Sequence, residues 1–463
     1  MSYALSLDIG STYTKGVLCG VPDDARAPLE ILDYAVTSTT VEHLPAGFAE
    51  VRTQLLKSVP AGVDHSIPVY FSSSAKGGLG IYALGIVPDL TLKTAKLTAL
   101  SAGGKVVGFS AYKLTSKDLQ ALEASRPDVI LLAGGTNGGN ESFLLHNTKQ
   151  LLRSAQLPQC TTVVYAGNDV LADDIPEQLS AAGYDVRVAE NIMPDIDTIN
   201  PGNARERIRD VFLQRIVKGK GLDSLVQEIG RAPHPTPYAV LSLVEAIRAQ
   251  APEFGDFVLA DLGGATTDIY SSCKDERGAE RVVYRGLPEP VIKRTVEGDL
   301  GMRVSAKAVA AYIDEPLASN EEFRGFIERI DADTSYLPAD NLGKSFDNAL
   351  AQKCLELALQ RHVGTQKRIF TAMGDAFVQQ GKDLRPVRTM IGSGGFLSRA
   401  ESFKFELDSV QGVDDLGNGE LIALLPQSIK YYRDAQYIFP LLGNLVGDFA
   451  ERAVLTALDS IKG

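Results

Sequence analysis

Residues 257–270 read FVLADLGGATTDIY, and this stretch decides which fold the chain adopts. The apolar run 257–260 predicts a buried strand that ends at Asp261, and Ile269 and Tyr270 resume the apolar character after a polar turn. Glycines let backbone N–H groups approach phosphate oxygens, neighbouring hydroxyls add donors, and an aspartate at the strand end holds Mg²⁺, usually through water. The stretch therefore predicts a phosphate-binding loop beside a metal ligand. Its residues are Asp261, Gly263, Gly264, Thr266 and Thr267.

The start of the chain repeats this arrangement. Residues 3–9 predict a strand that carries Asp8 near its end, and the polar turn that follows contains Gly10, Ser11 and Thr12. The apolar character then resumes, as it does after the first stretch. The sequence therefore predicts a second phosphate loop.

Each half also contains a later buried strand that runs into glycines. Residues 128–133 lead into Gly134, and a short strand near the end of the chain leads into Gly392. Gly134 lies 126 residues after Asp8, and Gly392 lies 131 residues after Asp261. The matching order and spacing predict an α/β fold of two duplicated lobes that face each other across a cleft.

Two phosphate loops on opposing lobes can hold a polyphosphate from both sides. Asp8 and Asp261 would then lie near the metal ion and the attacking water, as phosphoryl transfer requires. They are the candidate catalytic and metal-binding residues. The later glycine loop suits another task, because residues without side chains let a flat adenosine approach the backbone. Its candidate residues are Gly392, Gly394 and Gly395.

Composition excludes several other classes. The 463 residues carry a net charge of −12 and no long basic run, which argues against a nucleic-acid or anionic-membrane partner. Four scattered cysteines predict reduced thiols, and the five histidines lack the spacing of a zinc site. There is no signal-peptide pattern and no apolar run of about 20 residues, so we expect a cytoplasmic protein. The P-loop pattern fails because Pro338 stands where its first glycine belongs.

Proline residues cluster at 233–237, and this dense group of breakers predicts a hinge. We therefore divide the chain into lobes at 1–235 and 236–463. Within the first lobe, the glycine- and lysine-rich region 72–114 is either an insertion that contacts a partner or a plain covering for the sheet. An apolar stripe after Pro440 predicts a helix over 440–462, which is a candidate to pack back on the first lobe.

The motifs together carry a family resemblance. LDIGSTYTKGVL, LADLGGATTDIYS and MIGSGGFLS resemble the phosphate-1, phosphate-2 and adenosine motifs of the superfamily of actin, heat-shock chaperones and sugar kinases, in that order. Within it, the chain resembles the MutL (GlmL-type) accessory proteins of adenosylcobalamin-dependent mutases, which are unrelated to the DNA mismatch-repair protein of that name. Further matching stretches include SSSAKGGLG, RPDVILLAGGTNGG, HPTPYAV and YIFPLLGNL. GLPEP at 286–290 and TVEGDLGMR at 295–303 indicate the glutamate mutase branch.

The resemblance implies a two-lobed actin-like ATPase fold with duplicated ribonuclease H-like domains and a nucleotide cleft between them. It implies ATP and Mg²⁺ as cofactors, and a chaperone-like ATPase that helps a mutase, glutamate (methylaspartate) mutase above all, to exchange damaged cobalamin. The chain lacks a D-x-H-x-x-G cobalamin motif, so it would act on a cobalamin protein rather than hold the cofactor by that route. Carried over by position, Asp8 and Asp261 are catalytic and bind the metal. The implied nucleotide-binding residues are Gly10, Ser11, Thr12, Gly263, Gly264, Thr266, Thr267, Gly392, Gly394 and Gly395.

Alternatives remain open at this point. A small-molecule kinase of the same superfamily would need an acidic base, for which Glu297 is one candidate, and a non-enzymatic actin-like filament is a third class. Lys15 is either a phosphate contact or a surface lysine. Residues 298–301 loosely resemble the segment that opens a nucleotide-contacting helix in the chaperones.

Overall fold

The computed structural model describes residues 1–10, 12–40, 43–61, 63, 67–74, 79–217, 221–372, 374–407 and 421–462. The candidate residue Ser11 lies outside them. The strands within this part of the chain are β1 Ser2–Ile9, β2 Tyr13–Val21, β3 Glu30–Ser38, β4 Val69–Ser73, β5 Gly80–Gly85, β6 Lys105–Ala111, β7 Val129–Leu132, β8 Thr162–Tyr165, β9 Asp185–Val188, β10 His234–Pro235, β11 Phe257–Leu262, β12 Thr267–Ser272, β13 Val282–Arg285, β14 Ile292–Glu297, β15 Thr365–Thr371, β16 Gly374–Gln380, β17 Thr389–Ser393, β18 Leu421–Ala423, β19 Lys430–Asp434 and β20 Ile461–Lys462.

The helices connect these strands. Within the described ranges they are α1 Leu44–Leu56, α2 Lys93–Ser101, α3 Ser116–Ser125, α4 Ser142–Leu151, α5 Leu157–Cys160, α6 Asp174–Ala181, α7 Gly202–Val217, α8 Leu222–Ile229, α9 Thr236–Gln250, α10 Ala306–Ala310, α11 Glu321–Ala332, α12 Asn341–His362 and α13 Phe439–Ser460. Short π and 3₁₀ turns occur at Pro88–Leu92, Asp169–Leu171 and Pro252–Phe254. Side-chain caps fix several starts: Thr115 and Asp118 form a capping box at α3, and Asp340 accepts from the Gly343 amide at α12.

The first sheet has the strand order β10-β4-β1-β2-β3. β1 and β3 both pair antiparallel with β2, whereas β4 is parallel to β1 and β10 is parallel to β4. Helix α1 covers the antiparallel strands with Phe48, Val51 and Leu55, which share a core with Leu5 and Leu7 of β1. Part of the apolar surface of β1 and β2 is thus buried by the helix that follows this hairpin and β3 in sequence.

The second sheet repeats this design with the order β14-β12-β11-β17-β19-β20. β11 and β14 pair antiparallel with β12, whereas β17 is parallel to β11 and β19 is parallel to β17. Helix α12 packs on this sheet through a core that includes Leu350, Cys354 and Leu355. The same order and directions occur twice, which confirms the predicted α/β fold class with duplicated ribonuclease H-like sheets. The nucleotide cleft stays a prediction.

One step in the sequence argument for duplication is wrong. Gly134 follows β7, which pairs with β5 and β8 in another sheet, so it is not the counterpart of Gly392. The strand before Gly392 is β17, and its counterpart in the first sheet is β4, because each is the parallel neighbour of the aspartate strand. The error has a physical cause: a strand buried on both faces is a short apolar run in any sheet, so periodicity cannot assign it to one.

Between β4 and β10 the chain builds a separate parallel sheet, β6-β5-β7-β8-β9, here called the inserted sheet. Side chains of its strands alternate between two cores. Ile81, Val129 and Leu131 lie in the core shared with β1, and Ile130 and Leu132 lie in a second core beneath α4 and α6. The inserted sheet extends from Gly80 to Val188, well past the region 72–114 singled out from composition.

A smaller sheet, β13-β16-β15-β18, lies later in the chain. By contact density the chain divides into two compact units, Met1–Ser242 with Pro440–Phe449, and Leu243–Phe439 with Ala450–Gly463. The division of α13 coincides with Phe449, whose φ of −137° and ψ of 39° interrupt the helix. The lobe limits at 235 and 236 stay a prediction.

The proline-rich segment, expected to be a hinge, is part of the first sheet. His234 and Pro235 form β10, which pairs with Ser72 and Ser73 of β4, and α9 begins at Thr236. Proline is tolerated there because β10 is an edge strand and because the first turn of a helix needs no N–H donor. In the described part of the chain, no helix is long and apolar enough to cross a membrane.

Candidate functional site

The first phosphate loop is the turn between β1 and β2. The Gly10 N–H donates to the Tyr13 carbonyl at 3.0 Å, which closes the turn just beyond Asp8. A Cβ on Gly10 would lie 2.8 Å from that same carbonyl oxygen, so a side chain is excluded there. Thr12 is exposed at the tip of the turn. The sequence prediction of a tight glycine turn at this place is correct.

The second phosphate loop has the same geometry. The Gly263 N–H donates to the Thr266 carbonyl at 2.9 Å, and a Cβ on Gly263 would lie 3.2 Å from that oxygen. The strand register also matches, because Asp8 is opposite Lys15 and Asp261 is opposite Asp268, each seven residues further along. The two loops are therefore equivalent positions of the duplicated fold.

Each loop is supported by the residues that follow the third strand of its sheet. After β3, the Thr39 hydroxyl donates to the Gly10 carbonyl at 2.9 Å and the Thr39 N–H to the Thr12 carbonyl at 2.8 Å. After β14, the Met302 N–H donates to the Gly263 carbonyl at 3.1 Å and the Arg303 N–H to the Gly264 carbonyl at 2.8 Å. These contacts hold the carbonyl groups of each loop in place.

The amides of the second loop are well placed to receive an anion. Gly264 is exposed and Ala265 is half-buried, and among the described residues their N–H groups donate no hydrogen bond. Successive unpaired N–H groups in a turn form a concavity that binds phosphate. Thr266 borders this turn, whereas the buried Thr267 hydroxyl donates to the Leu300 carbonyl at 2.8 Å and so stabilises the loop from beneath.

Gly301 brings the supporting segment against the loop, since a Cβ there would lie 2.4 Å from the Ala265 carbonyl carbon. Interactions of Arg303 and Ser305 hold this segment against the loop. Arg303 makes a bidentate pair with the buried Asp347, at 2.8 Å for each hydrogen bond, and the Ser305 hydroxyl donates to the Ala265 carbonyl at 2.7 Å. The sequence analysis noted residues 298–301 but missed Arg303 and Asp347, because an ion pair 44 residues apart leaves no local pattern.

Asp8 lies in a fully formed polar cluster in the first unit. Its Oδ1 accepts from the Ser72 hydroxyl at 2.7 Å and the Thr236 hydroxyl at 2.5 Å, and its Oδ2 lies 3.3 Å from Lys15 Nζ. Asn444 of α13 donates to the Ser72 hydroxyl at 3.2 Å. Lys15 is 3% exposed, so it is not a surface lysine. The cluster joins four distant parts of the sequence, which is why the sequence analysis named Asp8 and Lys15 but missed Ser72, Thr236 and Asn444.

The second unit has a different charge arrangement at the equivalent place. Asp268, opposite Asp261, is buried and pairs with Arg294, whose Nε and Nη2 lie 2.8 and 2.6 Å from its Oδ1. Burial raises the pKa of Asp268, and the Arg294 guanidinium opposes that shift. Asp261 itself is half-buried. At the first loop the charge of Asp8 is thus balanced by Lys15. At the second loop Asp268 is balanced by Arg294, and Asp261 adds a further carboxylate beside that ion pair.

These surroundings decide how well a metal ion fits. A divalent cation beside Asp8 would meet the Lys15 ammonium and a carboxylate that already accepts two hydroxyl hydrogen bonds, so the residues there fit Mg²⁺ poorly. The half-buried Asp261 carboxylate suits an ion that keeps most of its waters, as Mg²⁺ does. Across the described ranges, no three His, Cys, Asp or Glu side chains form a metal cluster. A metal role for Asp8 stays a prediction.

The adenosine loop lies beside the second phosphate loop. β17 runs parallel to β11, with Ser393 paired to Asp261. Gly394 has a φ of +102°, and a Cβ there would lie 2.2 Å from the Leu262 carbonyl oxygen, so only glycine fits. Gly392 packs against Tyr431, whereas Gly395 is exposed and borders open space. The structure therefore brings two of the three predicted loops together within one unit.

Glu297, a candidate base for a kinase, ends β14 beside Thr267. It accepts a hydrogen bond from Arg361 Nη1 at 2.9 Å, and Arg361 also pairs with Asp299 at 2.7 Å. Burial raises the pKa of Glu297, with Arg361 opposing the shift. Glu297 thus belongs to an ion-pair cluster.

Comparisons with known proteins agree with the sequence motifs. The family model described as MutL protein matches residues 4–460. Protein MutL of Clostridium tetanomorphum is 35% identical over 465 residues, covering 98% of each chain. Solved structures give weaker likenesses. A glycerol dehydratase reactivase aligns at 10% identity and a TM-score of 0.33, over 86% of this chain and 93% of its own.

A ligand-bound xylulose kinase from Lactobacillus acidophilus aligns at 11% identity and a TM-score of 0.34, over 99% of this chain and 90% of its own. Likenesses at these TM-scores are not evidence about fold or function. The family match spans nearly the whole chain, and the 35% identical relative is matched from end to end. On these grounds the chain belongs to the MutL family, as its sequence motifs indicated.

Proposed function

We propose that this chain is an ATPase that reactivates an adenosylcobalamin-dependent mutase. The observation that carries the ATP-binding part is the pair of equivalent loops, each closed by the same hydrogen bond; in the second, the Gly264 and Ala265 N–H groups donate no hydrogen bond among the described residues. One such loop occurs in many folds, but two at equivalent positions of a duplicated sheet suit a ligand with several phosphates.

In this proposal the loop at Gly263 binds phosphates of ATP, and the loop at Gly10 is the equivalent phosphate loop of the first unit. Lys15 adds a positive charge beneath the first loop, and the glycines at 392–395 accept the adenosine. Asp261 would hold Mg²⁺, which would neutralise phosphate charge. Asp261 also orients the attacking water, so its carboxylate acts in positioning rather than in covalent chemistry.

The partner is the finer part of the proposal. Support comes from membership of the MutL family and from the segments 286–290 and 295–303, which resemble the glutamate mutase branch. Inactivated mutase holds damaged cobalamin tightly, so its release needs a coupled reaction with a larger drop in free energy. ATP binding and hydrolysis supply that drop if they stabilise a mutase conformation with an open cofactor site.

The test mixes this protein, Mg-ATP, free adenosylcobalamin and glutamate mutase that has been inactivated with cyanocobalamin. We expect mutase activity to return in this mixture. It should not return when ATP is omitted, or when the Asp261→Ala variant replaces the parent protein. That variant should hydrolyse ATP slower by a factor of about 10² or more, since it removes the carboxylate that positions metal and water. Asp331→Asn, which changes a surface carboxylate of the same unit, is the matched control and should behave like the parent.

A different outcome would favour the kinase alternative. If the mutase stays inactive while a small hydroxyl compound stimulates ATP consumption, the reactivation proposal is wrong. If Asp261→Ala hydrolyses ATP at the parental rate while remaining folded, the assignment of the second loop is wrong.

A further inference from the structure

The loops at one edge of the inserted sheet form a surface that the ATPase site does not use. Because β5 to β9 are all parallel, the loops that follow them meet at the same edge. We call this edge the insertion rim. It comprises residues 86–89, 112–115, 133–141, 166–173 and 189–201. With strands about 4.8 Å apart, the rim is roughly 20 Å wide, and this edge is where doubly wound sheets bind their ligands.

Four loops of the rim each expose a large apolar side chain. The exposed fractions are 38% for Val87, 57% for Tyr112, 55% for Val170 and 61% for Ile196. Single exposed apolar residues are ordinary, but here they follow four neighbouring strands and flank the glycine-rich loop after β7. The apolar side chains therefore lie on both sides of the loop after β7.

Tyr112 adds a second sign of function, because it has a left-handed backbone with a φ of +62°. That conformation costs a residue with a side chain about 1 kcal/mol or more. It is held by the Tyr112 N–H, which donates to the Ile86 carbonyl at 3.0 Å, and by Asn147 Nδ2, which donates to the Tyr112 carbonyl at 3.0 Å. Tyr112 thus combines a strained backbone with an exposed aromatic ring. Backbone strain of this kind concentrates at binding sites.

Hydrogen bonds tie the remaining loops of the rim to one another. The Asn137 N–H donates to the Pro194 carbonyl at 3.0 Å, and Asn191 Nδ2 donates to the Gly135 carbonyl at 2.9 Å and to Asn137 Oδ1 at 2.8 Å. The loops after β7 and β9 are therefore fixed before any partner arrives. A preorganised surface loses little conformational entropy on binding.

The charge of the rim identifies the kind of partner. The five loops contain seven acidic residues and one basic residue, Lys113. The acidic residues are Asp89, Glu141, Asp169, Asp173, Glu190, Asp195 and Asp197. A negative field of this kind repels phosphate groups, so the rim is unsuited to nucleotides in spite of its glycine-rich loop. It is complementary to a protein surface on which exposed apolar residues lie among basic residues.

We propose that the insertion rim is the docking surface for the mutase, and that the mutase meets it with a basic surface that contains exposed apolar residues. This inference rests on the proposed function, and it assigns recognition to the inserted sheet and ATP hydrolysis to the duplicated sheets. Tyr112 and Ile196 are the expected anchors, because they are large, highly exposed and held on rigid loops.

The test measures the affinity of the full chain for cyanocobalamin-inactivated glutamate mutase in the presence of Mg-ATP. Tyr112→Asn, which tolerates the left-handed backbone, and Ile196→Ser should each weaken binding about tenfold or more. Phe370→Ser removes a side chain that is 82% exposed in the other unit and is the matched control, with affinity within about twofold of the parent. Asp169→Asn with Asp195→Asn should slow association and reduce its salt dependence. Basal ATP hydrolysis should stay unchanged in all variants, which also shows that they fold.

The outcomes separate the two proposals. If the parent and both rim variants bind the mutase equally well, the docking surface is wrong while the proposed function survives. If the parent hydrolyses ATP but does not bind the mutase, the proposed function is wrong and the docking proposal with it. If the parent sediments as a dimer that Ile196→Ser dissociates, the rim is an interface between copies of this chain and the partner assignment is overturned.

Discussion

Replacement of Lys15 by methionine tests whether the buried pair beneath the first loop serves stability or ligand binding. Lys15 Nζ lies 3.3 Å from Asp8 Oδ2, and both side chains are buried. Lys15→Met keeps the length of the side chain and removes the charge, which leaves the Asp8 carboxylate buried with only its hydroxyl partners. Loss of one member of a buried ion pair costs about 3–5 kcal/mol.

The structure favours the low end of that range, about 3 kcal/mol, since the Ser72 and Thr236 hydroxyls still donate to the carboxylate. Adding Asp8→Asn to Lys15→Met removes the unbalanced negative charge at position 8, while the new amide oxygen still accepts hydrogen bonds from the Ser72 and Thr236 hydroxyls. The double variant should therefore regain most of the lost free energy of unfolding, ending within about 1 kcal/mol of the parent.

Affinity for ATP should respond differently. If Lys15 contributes charge to phosphate binding, the double variant stays about tenfold or more weaker in ATP binding although its stability is restored. Urea unfolding followed by circular dichroism measures the first quantity, and calorimetric titration with ATP measures the second. Parental ATP affinity in the stable double variant would refute a ligand role for Lys15, and a double variant no more stable than Lys15→Met would refute the ion-pair argument.

Three further predictions concern other parts of the chain. Asp347→Asn should weaken the bidentate pair with Arg303 and loosen the second loop, lowering ATP affinity about tenfold in calorimetric titration, and Arg303→Lys should not be a neutral change because lysine cannot form that pair. Gly394→Ala should destabilise the protein by about 2 kcal/mol or more in urea unfolding, whereas Gly395→Ala, with open space around its Cβ, should be tolerated; equal effects would contradict the strained turn. Burial lowers the pKa of His234 from 6.5 to about 4, so the unfolded chain takes up this proton first, and stability should fall as pH drops from about 6.5 to about 4. His234→Gln should remove about 3 kcal/mol of that pH dependence, and an unchanged slope would show that another group causes it.

Local patterns were sufficient to predict both phosphate turns. A strand that ends in Asp, with Gly two residues later, favours a tight turn, because glycine has no Cβ to meet the carbonyl oxygen to which its N–H donates. The strands themselves could be recognised as apolar runs of the right length, and the adenosine loop by its glycines. These features depend on neighbours in sequence, so they can be recognised without knowledge of the fold.

Assignment of strands to sheets could not be predicted in the same way. The run 128–133 looked like the counterpart of 389–391, yet β7 belongs to the inserted sheet and β4 is the true counterpart of β17. The proline cluster at 233–237 looked like a hinge, yet it supplies an edge strand and the start of a helix. Each misreading concerned long-range pairing, which composition does not encode.

The two glycine turns, the α/β class and the family could be recognised from the sequence alone, because glycine turns, strand-end carboxylates and buried apolar runs are properties of adjacent residues. The surroundings of each carboxylate, in contrast, became visible only in the folded chain. Asp8 is neutralised by Lys15 and held by hydroxyls from β4 and α9, whereas Asp261 lies beside an aspartate that is already paired to Arg294. The reason is physical: the field at a carboxylate is set by charges within a few ångströms in space, and folding brings those charges together from positions that the chain keeps far apart.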